Sequence, residues 1–294
     1  ICVISSTSGT ATEEIVAKIE SFLSILREKE FVINGIATDG DGSYLIYSRL
    51  LVEYLYTNIF DVLQMNVLEL SNIPHAVWHF SDPFHLAKRD RYRKVSLKLF
   101  RCSPLSNVPY TSVNYLRALG IPDYILTPDK SKKMEDSLPL KMFNYKILNK
   151  ILRTEDAGLF IAMLPTTLLL EALHSKTLRR SQRIDGLLFG ACIILIYNLT
   201  TEYAINTQTD YYLENRNTYL REICFTRDWC CEYISVTLGI AILLASEKQL
   251  HLGVCGTHFL EHYFGSIRRI SRGDNTHNRF MKSMKNVLLE RILT

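Results

Sequence analysis

The chain has 294 residues, 47% of them hydrophobic, with a formal net charge of +4. That is enough apolar material for a substantial core and for one large or two ordinary domains. The seven cysteines are odd in number and lack paired spacing, which points to a reducing compartment rather than a disulfide scaffold.

The first residue is Ile1, so the expectation is a piece of a longer protein, with no secretory signal in what is present. Residues 11–29 carry helical spacing at Ile15, Val16, Ile19, Phe22, Leu23 and Leu26, behind a capping-box pair, Thr10 and Glu13. The run from Phe31 to Thr38 is short, apolar and β-branched, so it predicts a strand ending at Asp39, followed by Gly40-Asp41-Gly42. Tyr44 to Tyr56 predicts a helix. Ala76 to Phe80 predicts a second strand, ending at Ser81-Asp82, and Pro83 suits the first turn of the helix that follows. Residues 102–140 are loop-rich. From Pro139 to about Leu250 the pattern is mainly helical, although a strand could hide in Leu187 to Tyr197. The most apolar segments, Ile161 to Leu173 and Leu187 to Tyr197, are shorter than the roughly 20 residues a bilayer requires, so they read as buried helices without a membrane role. Cys192 reads as a small buried hydrophobe. A helix from about Gly256 carries Leu260, Phe264 and Ile267 on one stripe and Glu261 on another, and Arg279 to Leu293 predicts a last amphipathic helix.

Charge is distributed in blocks. His85 to Arg101 holds seven basic residues (Lys88, Arg89, Arg91, Arg93, Lys94, Lys98, Arg101) against Asp90, and Arg268 to Lys285 holds Arg268, Arg269, Arg272, Arg279, Lys282 and Lys285 against Asp274. Such blocks suit a polyanionic partner, or simply a solvated face. Asp39, Asp82 and Glu261 are hard oxygen donors, and carboxylates from adjacent strand ends and a helix are one way to hold two Mg²⁺ about 3.5–4 Å apart. Each also has a plainer role open to it. Asp39 starts an Asp-Gly turn and has Asp41 as a rival, Asp82 precedes Pro83 as an N-cap, and Glu261 shares a face with arginines. His251, Cys255, His258 and His262 offer a zinc alternative, but Gly253 and Gly256 interrupt the helix, and four ligands on one straight helix cannot all reach one ion.

Three stretches resemble eukaryotic cut-and-paste DNA transposases of the P-element and hAT branches: Thr38-Asp39-Gly40-Asp41-Gly42, Asp82-Pro83-Phe84-His85-Leu86-Ala87-Lys88-Arg89, and His258 to Arg268. The stretch Leu140 to Leu148 is similar to the segment leading into the helical insertion of P-element relatives. The resemblance implies an α/β fold, a ribonuclease-H-like mixed-sheet core interrupted by an all-α insertion domain. Its parts would be residues 1–138 and 251–294 for the core and 139–250 for the insertion. It also implies a catalytic and metal-binding triad of Asp39, Asp82 and Glu261 holding two Mg²⁺ or Mn²⁺ ions. DNA contacts would come from Lys88, Arg89, Arg268, Arg269 and Arg272. The reaction would be strand cleavage and transfer by a homo-oligomer in the nucleus, on transposon ends and target DNA. A non-catalytic DNA-binding scaffold derived from such an enzyme, and a nuclease of the same fold, are the alternatives. The chain differs from that pattern in lacking a Cys-x-x-His pair at the insertion start, where Glu171 to His174 stands, and in lacking a guanine-nucleotide signature. Arg227-Asp228-Trp229 is similar to an Arg-Trp element of hAT enzymes with an Asp intervening; core packing is the other reading of Trp229.

Overall fold

A computed structural model describes residues 12–30, 36–38, 45–62, 64–66, 68–72, 79–96, 99–100, 111–127, 135, 137–207 and 222–246. In chain order these form α1 (Thr12–Glu28), β1 (Ile36–Thr38), α2 (Leu45–Thr57), α3 (Ile59–Val62), a 3-10 turn (Glu69–Asn72), β2 (His79–Ser81) and α4 (Pro83–Ser96). Then come β3 (Leu99–Phe100), β4 (Thr111–Ser112), α5 (Val113–Ala118), α6 (Asp123–Leu126), α7 (Ser137–Met142), α8 (Tyr145–Leu152), α9 (Ala157–His174), α10 (Arg180–Thr207) and α11 (Arg227–Ser246).

The expected α/β architecture is corrected by this arrangement. The described residues are overwhelmingly helical, and their extended backbone amounts to two separate two-stranded pairs, β1–β2 parallel and β3–β4 antiparallel, each strand only two or three residues long. No ribonuclease-H-like mixed sheet is present among them. The physical reason lies in the helices. From Trp229 to Leu244 every residue of α11 is buried, and α9 is buried from Ala162 to Leu170. A helix apolar on all sides is enclosed by protein or by lipid, and these two are packed against other helices. The hiding strand between Leu187 and Tyr197 is instead part of α10.

The core is therefore helix on helix. α11 packs along α10 and α2 and also meets α4 and β2, while α9 lies against α10, α8 and α4. Local signals place the ends of these helices. Asn144 and Asp156 cap α8 and α9 by accepting from the backbone N–H of Ile147 (3.1 Å) and Leu159 (2.8 Å). Pro165 sits inside α9, where it removes one helical donor. Its own carbonyl accepts from the Tyr233 hydroxyl of α11 at 2.6 Å, tying the two helices together. The segments read as short apolar runs belong to helices of 18 and 28 residues, long enough to cross a membrane by length and composition. Cys192 is a second correction: it is exposed, on the outer side of α10 with Phe189 and Ile196.

Aromatic rings join the helices at the centre. Phe225, Trp229 and Tyr233 stack in sequence, with ring centroids 4.6 and 5.0 Å apart, and Tyr197 of α10 meets Phe225 edge-on. Trp229 is a core residue, and its indole N–H donates to the Leu86 carbonyl of α4 at 3.1 Å.

Candidate functional site

β1 and β2 run parallel with Thr38 opposite Ser81. Asp82 follows β2 directly, and Asp39 is the next residue in sequence after β1. Asp82 is buried, and its Oδ1 accepts from the Phe84 backbone N–H at 2.8 Å, so it caps α4 with Pro83 at the first helical position. Asp39, Asp41 and Glu261 lie outside the described residues, as do Arg268, Arg269, Arg272 and the His251, Cys255, His258, His262 set. Of the expected triad, Asp82 alone is placed.

The first basic block divides between surface and interior. Lys88 and Arg89 on α4 are part-exposed. Arg91 is fully buried and donates to the Ile125 carbonyl at 2.7 Å, while Arg93 donates to the Ile223 carbonyl at 2.8 Å. Lys94 is buried against Asp90. Burial lowers the pKa of both Arg91 and Arg93. Much of the block therefore fastens α4 into the helical core rather than facing a partner.

At the end of β2 the structure brings in an acid that no motif in the sequence marks, Glu232 of α11. Its side chain is 1% exposed, and its Oε2 accepts from Arg89 Nη1 at 2.5 Å. Burial raises the Glu232 carboxyl above the usual carboxylate range; Arg89 pulls the other way, and the Ser81 hydroxyl also favours the charged form. Among the described residues, Oε1 has no hydrogen-bond partner. The signal in the sequence is one acid inside the otherwise uncharged run from Trp229 to Ser246. Nearby, Asp228 accepts from Arg49 of α2 at 2.8 Å in an exposed ion pair.

Among the described residues, no group of three or more His, Cys, Asp or Glu is placed to hold a metal ion. Asp82 is a hard oxygen donor of the type Mg²⁺ prefers, at a strand end, with one oxygen already used by the α4 cap. The donor chemistry fits, and the other two expected ligands are outside the described residues.

The described residues thus define a helical protein with two short strand pairs, one of them parallel. Compared with protein families, curated proteins and solved structures, the chain matches none of them.

Proposed function

We propose that the chain is part of a DNA transposase that cuts and joins strands with two divalent cations, Mg²⁺ or Mn²⁺. The observation that carries this reading is the register of β1 with β2: Thr38 and Ser81 are partners in a parallel pair, and an aspartate follows each of them in sequence. Parallel neighbours deliver the residues after their last paired positions to the same edge, where two carboxylates can share one site. The motifs around Asp82 and Glu261 support the same reading, which does not rest on a ribonuclease-H-like sheet.

Bound cations would supply an activated water or DNA 3′-hydroxyl and would neutralise charge on the leaving oxygen. Asp82 would contribute a carboxylate oxygen while its other oxygen holds the start of α4. Arg89, Lys88 and, further along the chain, Arg268, Arg269 and Arg272 would meet phosphates. Homo-oligomeric action on DNA in the nucleus belongs to the same proposal.

Asp82→Asn tests it, because asparagine caps helices as well as aspartate does but loses the anionic donor. Nicking of a labelled donor end in Mg²⁺ should disappear in Asp82→Asn and in Glu261→Gln while DNA binding persists. Full Mg²⁺-dependent activity in both variants would sink the assignment. Supplying a plasmid target separates the alternatives: joined product marks a transposase, and cut product alone marks a nuclease. Binding with neither marks the scaffold, a reading favoured by the burial of Asp82 and its commitment to the helix cap.

A further inference from the structure

Glu232 is a buried carboxylate in an apolar helix, and such a group is costly to keep unless something requires it. Its surroundings show what it holds. Oε2 takes the Arg89 guanidinium, the Ser81 hydroxyl faces the same carboxyl, and Oε1 is without a hydrogen-bond partner among the described residues. Ser81 is the last residue of β2 and immediately precedes Asp82. A single side chain of α11 thus touches the strand end that delivers Asp82 and an arginine farther along α4.

The spacing on α4 gives this contact a direction. Asp82 and Arg89 are seven residues apart, two helical turns, so they share one face about 10 Å apart along the axis. The Arg89 side chain remains 35% exposed although Nη1 is engaged. A guanidinium has five N–H donors in a planar fork, so the nitrogen edge not facing Glu232 can meet an anion.

We propose that Glu232 is a positioning residue: it holds Arg89 on the Asp82 face of α4, where the free edge of the guanidinium contacts a phosphate of the DNA strand being cut. This rests on the DNA-transposase reading and adds to it the residue that aims the phosphate contact.

The test is fluorescence anisotropy with a labelled DNA duplex in Ca²⁺-free, Mg²⁺-containing buffer over a range of salt. Arg89→Ala and Glu232→Leu should each weaken binding about tenfold and lower the salt slope by about one, as expected for one lost phosphate contact. The double variant should be no weaker than either single one, since both remove the same contact. Glu232→Gln, which keeps an acceptor for Arg89, should bind close to wild type. Arg89→Lys keeps the charge but loses the fork, and should still weaken binding, so the proposal remains testable if Glu232→Leu does not fold. Wild-type affinity and slope in Arg89→Lys, or in a folded Glu232→Leu, would overturn the positioning role while leaving the DNA reading intact. A wild-type chain that binds no DNA would overturn both.

Discussion

Asp90 and Lys94 stand one turn apart on α4, both buried, and Thr166 of α9 donates its hydroxyl to the second Asp90 oxygen at 2.6 Å. The Lys94 ammonium also lies 4.3 Å from the centroid of the Phe225 ring. Desolvation raises the Asp90 carboxyl above the usual carboxylate range, opposed first by Lys94 and also by the Thr166 hydroxyl. The folded chain therefore keeps the Asp90 proton at a higher pH than the unfolded chain does. Stability linked to this group grows as pH falls from the raised folded value towards the ordinary one near 3.9, and declines as pH rises. Lys94→Met leaves a buried carboxylate without its cation and should cost about 3–5 kcal/mol at pH 7. Part of the loss should return on acidification, read as a rising urea midpoint between pH 7 and 5. Adding Asp90→Asn should restore stability and remove that pH dependence; an equally unstable double variant would show that the pair is not the cause.

At the level of elements, the approach of α10 to α11 depends on one missing side chain. A Cβ on Gly190 would collide with the Tyr233 hydroxyl. That hydroxyl cannot swing aside freely, since it donates to the Pro165 carbonyl and its ring is stacked on Trp229. Alanine is about 1 kcal/mol better than glycine inside a helix, yet Gly190→Ala should lower stability by about 1–3 kcal/mol through overpacking. Tyr233→Phe removes the colliding oxygen, so the double variant should recover part of the loss in thermal unfolding. Additive losses would mean that the clash is relieved elsewhere. Gly190 stands at this point because Pro165, Tyr233 and Gly190 come from three helices that meet there, and no spacing within α10 announces it.

For the molecule as a whole, hydropathy and packing point in different directions. α9, α10 and α11 each have the length and composition of a membrane span, but 89% of the apolar window of α11 is buried inside the protein. That helix also carries Glu232 and meets α2, α4, α10 and β2. The window of α10 is only 39% buried, and Phe189, Ile196 and Tyr203 face outward at helical spacing. We propose that the chain has no membrane role, since α11 is enclosed by protein. In vesicle flotation the chain should stay in the aqueous fraction; co-migration with lipid would overturn that expectation.

Much of this architecture was legible in the chain itself. The helical spacing from residue 11 to 29 became α1, the run from Tyr44 to Tyr56 became α2, and Pro83 behind Asp82 opened α4. Such features depend on periodicity, caps and proline geometry within a few residues, so local sequence suffices to determine them. The runs Phe31 to Thr38 and Ala76 to Phe80 lead into the described strands β1 and β2, which pair in parallel over three residues, but the mixed sheet that the family resemblance implied is not present among the described residues. Whether an extended run joins a sheet depends on the partners that reach it, and here helices occupy the core. Tertiary structure alone decided which charges of the basic block turn inward: Arg91 meets the Ile125 carbonyl, and Lys94 is enclosed by Asp90, Phe143 and Phe225. It alone brought Glu232 to Arg89 across 143 residues of sequence. A charge is buried only where distant groups arrive to satisfy it, and no local pattern encodes that meeting.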